Sequence, residues 1–462
     1  MMKNSYWKEV KIIMALAIPV MIAQASQSGI MFVDTIMAGH YSATALSGVA
    51  LGSSIFWPAV LFAQGLLSVL TPIIAHLNGR AQRDQVADHT RQGLLLAVIL
   101  SALIMFILYH GDKIILFSNQ GKSVNTEMLN VAVDFLRAVM WGVPGFLFYL
   151  VYRNQCEGLS NTKPAMVAVF TALVVNIPIN YVLIYGKLGL PEFGGKGCGI
   201  AAAVVFWLLF FILRGYTLMA RNQRDIRQTP MKQLFNQEIM KRIIVLGLPL
   251  ALALFFEISL FAIIAILIAP LGQNAVAGNQ IIFTISSMTF TIPLALSVAT
   301  SIRVGFLLGE QKVAQAKQAA YISLVISLCL AIIVALFLLT FKHYIIGLFT
   351  QDILVIEICL QLIILLAIYQ CSDYVQITAN SVLRGYKDTK SIFIVTFIAY
   401  WVIGLPAGYI LGLTNLVVPA MGPAGFWIGI IIGLTMSAIL LLSRMHWLQN
   451  QPIANILKKA DR

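Results

Sequence analysis

The chain has 462 residues, 60% of them hydrophobic and only 11% charged, with 31 Lys and Arg against 18 Asp and Glu for a net charge of +13. Soluble chains are about 45–50% apolar and about 25% charged, so this balance excludes a soluble globular protein, a disordered chain and a secreted disulfide scaffold. It specifies an all-α polytopic membrane protein, since the apolar residues suffice for about a dozen spans of about 20–25 residues.

Apolar runs bounded by polar or Gly/Pro-rich turns predict 12 spans: 9–38, 45–77, 90–109, 127–152, 164–186 and 197–220, then 242–270, 274–308, 316–341, 353–383, 391–413 and 423–446. Lys3, Lys8 and Lys11 ahead of residues 12–23 imitate a signal peptide, with Ala23-Gln24-Ala25 in place of its cleavage site. The apolar run resumes over 29–38, which favours one retained helix. That first span carries a kink position, Pro19, then Gln24, Ser26, Gln27 and Ser28, then a carboxylate, Asp34. His76 in the second span reads as a packed histidine, because no second His or Cys stands at metal-ligand spacing. Asp134 and Arg137 in the fourth span read as a local ion pair one turn apart.

Asn176 and Asn180 in the fifth span sit at i and i+4 around Pro178, a face able to hydrogen-bond Asp34; the plainer reading is polar glue between helices. The seventh span holds a second kink position, Pro249, and Glu257. The tenth holds Asp373, with Tyr369 one turn earlier on the same face. A carboxylate at a helix centre in a bilayer costs about 2.5–3.5 kcal/mol or more, so Asp34, Glu257 and Asp373 are expected to face an aqueous cavity or a bound cation. Glu257 and Asp373 share one half of the chain, and two desolvated carboxylates together need a counter-charge: a shared proton, or Na⁺ held by hard oxygen ligands. The plainer alternative is a pair of protonated structural acids. The five cysteines (Cys156, Cys198, Cys329, Cys359, Cys371) are scattered and read as buried small apolar residues.

Charge sets the orientation. With the N-terminus inside, 25 basic residues fall on the cytoplasmic side, Lys232 and Arg462 among them, against Lys113, Lys122, Lys187, Lys196 and Lys342 outside. Both termini are then cytoplasmic, and the basic balance is a topogenic signal with no nucleic-acid partner implied. The expected division is an N-terminal lobe over 1–220, a basic cytoplasmic linker over 221–241, a C-terminal lobe over 242–447 and a cytoplasmic tail over 448–462.

The halves repeat. At an offset of 230, Pro19 matches Pro249, Ala23 matches Ala253, Ala45 matches Ala275, Gly48 matches Gly278 and Gly79 matches Gly309. At 227, Gly158, Thr162 and Lys163 match Gly385, Thr389 and Lys390; at 228, Pro178, Tyr181, Gly194 and Gly197 match Pro406, Tyr409, Gly422 and Gly425. Six spans per half give parallel repeats, a plan used by secondary transporters, and predict two six-helix lobes around a central cavity. The repeat counterparts of Asp34, Glu257 and Asp373 are Ile264, Gln27 and Phe146, none acidic. The carboxylates are additions to a shared scaffold. No GxxxxGK[ST] loop, HExxH or GxSxG elbow is present, so neither ATP hydrolysis nor another enzymatic activity is expected, and energy must come from an ion gradient. The aromatic residues, where they line a cavity, would suit flat cations.

Several segments resemble the signature of the multidrug and toxic compound extrusion (MATE) family: Phe32-Val33-Asp34-Thr35-Ile36-Met37-Ala38-Gly39, Phe255-Phe256-Glu257, Ser301-Ile302-Arg303-Val304-Gly305-Phe306-Leu307-Leu308-Gly309 and Tyr369-Gln370-Cys371-Ser372-Asp373. With Leu383-Arg384-Gly385-Tyr386-Lys387-Asp388 they point to its bacterial NorM branch. The resemblance covers nearly the whole chain. It implies a bacterial inner-membrane antiporter that exports cationic drugs and dyes in exchange for Na⁺ or H⁺, contributing to antibiotic resistance, with no cofactor beyond the coupling ion and working as a monomer. It also implies a coupling-cation site at Glu257, Asp373 and Tyr369, and a proton and drug-coupling site at Asp34 with Asn176, Asn180 and Gln24. The alternative class is a flippase for lipid-linked oligosaccharide precursors, which needs cations for a pyrophosphate, whereas the spans here offer acids.

Overall fold

The computed structural model describes residues 2–118, 126–230 and 233–461. Lys122, Lys232 and Arg462 of the orientation argument lie outside these. Among the described residues, twelve helices are long and apolar enough to cross a membrane: α1 (Tyr6–Tyr41), α2 (Ala43–Gly79), α3 (Arg83–Tyr109), α4 (Thr126–Gly158), α5 (Lys163–Ile184), α6 (Gly195–Met219), α7 (Gln237–Leu271), α8 (Gln273–Gly309), α9 (Val313–Thr340), α10 (Ile353–Gly385), α11 (Thr389–Leu413) and α12 (Pro423–Gln449). A short helix, α13 (Ile453–Ala460), follows. The fold is all-α because a bilayer offers no water to satisfy backbone polar groups, and a helix satisfies its own. Local chemistry sets the ends: the Ser42 hydroxyl accepts from the Ala45 amide at 2.9 Å to start α2, and the Asp352 carboxylate accepts from Leu354 at 2.9 Å to start α10.

The chain divides into two compact units, Ile22–Ala251 and Met1–Met21 with Leu252–Arg462. The divisions fall inside α1 and α7, at positions 230 residues apart and each two residues beyond a repeat-matched proline, Pro19 or Pro249. Both helices run on through their prolines. The beginning of α1 is fastened within its own unit by a two-pronged ion pair, Arg303 donating to Glu9 at 2.5 and 2.8 Å. In the other unit Arg153 donates to Glu157 at 2.7 Å, one turn on in α4, with both side chains buried.

In the unit containing α8 to α12, α11 and α12 meet along two glycine rows, Gly404, Gly408 and Gly412 against Gly425, Gly429 and Gly433. A Cβ on Gly429 would collide with the Gly408 backbone, and one on Gly425 with the Gly412 backbone. Small residues every fourth position let helix backbones touch, the usual source of helix affinity in lipid. The middle of α11, Ile398–Gly404, is wound as a wider π turn that carries Tyr400 and Trp401.

α13 docks on the same unit, burying Ile456 and Ala460. Asp388, in the turn before α11, accepts from Arg444 at 2.8 Å and from Ser391 at 2.9 Å and pairs with Lys459 of α13 at 2.9 Å, while Lys387 donates to the Ala460 carbonyl. Burial alone would raise the Asp388 carboxyl; the hydrogen bonds and charges of Arg444 and Lys459 outweigh it and hold the group below its ordinary value.

Two outcomes follow from this packing. Gly429→Ala should destabilise the protein by about 1–3 kcal/mol through overpacking, read as a lowered Tm in detergent, whereas Gly215→Ala, with nothing within 4 Å of its added Cβ, should leave Tm unchanged. Asp388 is the less basic in the folded state, so its anchoring is at full strength above its ordinary range near about pH 4 and fades as pH falls through the folded value. Hydrogen exchange of the α13 amides should therefore be slow at neutral pH and accelerate beyond the intrinsic rate in acid; Asp388→Asn should exchange fast at either pH.

Candidate functional site

Asp34 sits on α1 where that helix has entered the unit Ile22–Ala251. Asn176 and Asn180, fully buried one turn apart on α5, donate to Asp34 Oδ1 at 2.9 and 2.7 Å, and Asn180 also donates to Asn176 Oδ1 at 2.9 Å. Helical spacing puts both amides on one face, and Pro178 between them frees the backbone of that turn without breaking the helix. Both bonds fall on Oδ1, and among the described residues Oδ2 has no hydrogen bond. Asp34 lines a cavity of about 230 Å³ walled by Phe56, Trp57, Phe135, Phe146, Tyr149 and Phe206. Among the described residues it is the one carboxylate on the wall, and no Lys or Arg lines it.

Three acidic-site residues lie within the other unit. Asp373 and Tyr369 are one turn apart on α10 and buried; Glu257 faces them from α7 and is partly accessible. Glu257 is near enough to act on Asp373, Tyr369 and Tyr400 through its charge, and the Tyr369 hydroxyl lies beside both Asp373 and Ser286. Neither Asp373 oxygen meets the geometry of a formed hydrogen bond, although both are buried. Tyr369 is held by its neighbours: its ring meets Trp427 edge-on at 5.6 Å, and Trp427 in turn donates to Asn279 at 3.0 Å. The π turn of α11 brings Trp401 to donate to the Phe256 carbonyl at 3.1 Å, tying α11 to the turn that carries Glu257. Two buried carboxylate oxygens with open hydrogen-bonding capacity and nearby hydroxyls make an oxygen-only set, suited to a proton or a hard monovalent cation. Among the described residues no group of three or more His, Cys, Asp or Glu is placed to hold a metal.

The repeat relates the two places. Gln27 and Phe146, counterparts of Glu257 and Asp373, both line the Asp34 cavity. Asn176 and Asn180, at the 228 offset, stand where the other half has Gly404 and Gly408 of the glycine seam.

Gln24 precedes Asp34 by ten residues, about 15 Å along a helix, and Gln27 lines the cavity. Two expectations are corrected. Asp134 and Arg137 form no ion pair: both are exposed, and the guanidinium lies 5.8 Å over the Tyr109 ring. Cys329 is exposed and Cys371 half-buried, while Cys156, Cys198 and Cys359 are buried. His76 is buried in α2. Tyr400, Ser286 and the aromatic cavity wall were not singled out by the sequence, because an ordinary Tyr, Ser or Phe in an apolar helix gives no signal of which neighbour it meets.

The MatE family signature matches residues 19–182 and again 249–410, so the two matches begin at Pro19 and Pro249. The chain belongs to the MatE family. Membership of the family read from the motifs is thereby confirmed, and the paired matches coincide with the internal repeat. This MatE chain is 53% identical over 457 residues to the multidrug resistance protein MdtK of Yersinia pseudotuberculosis serotype O:1b (strain IP 31758), covering 99% of each chain. It is 52% identical to the protein of that name from Yersinia enterocolitica serotype O:8 / biotype 1B (strain NCTC 13174 / 8081), again over 99% of each. Among solved structures it shares its fold with the eukaryotic MATE transporter AtDTX14 (TM-score 0.88, 22% identity, 98% of each chain). It also shares it with an outward-facing multidrug resistance MATE family transporter of the MOP superfamily (TM-score 0.84, 23% identity, 97% of each chain).

In this MatE chain, Asn180→Ala should cost about 1–3 kcal/mol, the penalty of leaving a buried acceptor short of its donor. The loss should appear as a lower Tm that Asp34→Asn in the same background does not deepen, since the two changes break one network.

Proposed function

We propose that this chain is a bacterial inner-membrane antiporter that exports cationic, amphipathic drugs and dyes by alternating access, in exchange for Na⁺ or H⁺, with both termini cytoplasmic. The observation that carries the reading is Asp34: a carboxylate with one oxygen held by two asparagines and the other without a hydrogen bond, on the wall of an aromatic cavity. An ionised Asp34 attracts a flat cation, and the ring faces of Trp57, Phe146 and Phe206 favour the same charge. Protonation of Asp34 removes that attraction. The MdtK names of the relatives, which call them multidrug resistance proteins, support the substrate class.

Glu257, Asp373 and Tyr369 supply the coupling-cation site in the proposal. Two carboxylates in a desolvated place cannot both stay ionised unaccompanied, so they bind a proton or Na⁺ from the side where it is abundant. Each site changes state only with the conformation that exposes it, and a difference in ion affinity between conformations then becomes a difference in drug affinity. A flippase for pyrophosphate-linked lipids fits less well, because among the described residues no Lys or Arg lines the Asp34 cavity.

Ethidium efflux from proteoliposomes tests the reading, run once under a Na⁺ gradient at clamped pH and once under a proton gradient alone. One gradient or the other should drive export. Glu257→Gln and Asp373→Asn should each lower gradient-driven export about tenfold or more while the protein remains folded. Asp34→Asn should impair both export and ethidium binding. Full-rate transport by both Glu257→Gln and Asp373→Asn would remove the assigned cation site, and no export under either gradient by folded protein would turn the reading toward the flippase.

A further inference from the structure

A second concavity, separate from the Asp34 cavity, lies on the outside of the unit Ile22–Ala251. It is a groove of about 810 Å³ between α4 and α6, lined at one end by Asp134, Arg137 and Lys196 and along the rest by Trp141, Trp207 and Phe211 among other apolar residues. The two helices run parallel here: Gly199 lies against Phe135, Gly142 against Ala203 and Gly145 against Trp207, so the charged residues share one level and the aromatic ones another. Lys196 to Phe211 spans fifteen residues, about 22 Å along the helix. That is a headgroup layer plus roughly the 15 Å of hydrocarbon in one leaflet.

The charges are what single the groove out. Asp134, Arg137 and Lys196 are all exposed, and none makes a side-chain ion pair among the described residues. Trp141 and Phe211 are 64% and 61% exposed. Trp207 spends its indole N–H on the Trp141 carbonyl at 2.9 Å, which fixes the ring as part of the groove wall. One acceptor beside two cations at the mouth of an apolar, aromatic channel complements one ligand chemistry: a primary ammonium and a phosphate on a common acyl-bearing glycerol.

We propose that this groove is a binding site for a single phospholipid with an ethanolamine headgroup. Asp134 accepts from the ammonium, Arg137 and Lys196 flank the phosphate, and one acyl chain lies along Trp141, Trp207 and Phe211. A phosphatidylglycerol offers the phosphate but leaves Asp134 facing a headgroup with no cation. A phosphatidylcholine carries a quaternary ammonium that has no N–H to donate.

Tryptophan quenching by bromine-labelled acyl chains reads occupancy of the groove. The full-length protein is placed in phosphatidylcholine vesicles containing rising mole fractions of brominated phosphatidylethanolamine, phosphatidylglycerol or phosphatidylcholine, with Trp141→Phe/Trp207→Phe giving the background from the other tryptophans. The ethanolamine lipid should quench the groove at a mole fraction about threefold lower than the other two, the scale of one exposed charge contact. Asp134→Asn should erase its advantage over phosphatidylglycerol. Asp134→Glu should retain it, which separates lost charge from misfolding, and Arg137→Gln with Lys196→Gln should weaken all phosphate-bearing lipids alike. Equal quenching by the three lipids, as for ordinary annular lipid, would overturn the proposal. So would preference for phosphatidylglycerol, or an ethanolamine preference that survives Asp134→Asn.

Discussion

Helices surrounded by lipid gain little by hiding apolar side chains from one another, because the lipid tails are as apolar as the side chains. What holds this bundle together is therefore close backbone approach and the few polar contacts set between helices. The α11–α12 seam shows the first device, with glycines facing glycines every fourth residue. The α5–α6 pair of the other repeat shows what happens when the device is altered at two positions. Where the seam has Gly404 and Gly408, the repeat has Asn176 and Asn180, and the amides turn to α1 and grip Asp34. One repeated pattern of contact thus serves packing in one unit and a polar network in the other.

The same economy governs the acids. Gln27 and Phe146 line the Asp34 cavity, and the equivalent positions in the other unit are Glu257 and Asp373. A shared scaffold offers the same inward-facing places twice, and each half has charged a different subset. An uncharged cavity wall of rings around one acid favours a bulky cation. Two acids among hydroxyls, with Asp373 buried and short of hydrogen bonds, favour something small. The division of labour in the proposed mechanism follows from side-chain volume as much as from charge.

Much of this was legible in the sequence where physics makes a residue expensive. Asp34, Glu257 and Asp373 stand out because a carboxylate in an apolar run costs too much to be there idly. The twelve helices and their repeat are legible because length, Gly and Pro fix backbone geometry locally. The meeting of Asn176 and Asn180 with Asp34 followed from their shared face. What stayed hidden depends on helix rotation: the π turn that turns Tyr400 and Trp401 toward Glu257 has no composition signal, and Ser286 resembles any other serine. Asp134 and Arg137 show the opposite failure. Their spacing permits a local pair, yet both side chains point outward and the arginine meets a ring on another helix.

The division of α1 also bears on how the chain is built. Its first 21 residues belong to the unit completed by Leu252–Arg462, and Glu9 finds Arg303 only 294 residues later. At about 5–20 residues per second, that partner leaves the ribosome roughly 15–60 s after Glu9 does. Through that interval the leading half of the first helix waits for its packing partner, while the trailing half meets Asn176 and Asn180 sooner, 142 and 146 residues after Asp34. Biogenesis therefore holds an early segment in waiting, and a chain severed within residues 221–241 would yield two fragments that each lack part of a unit until they meet again.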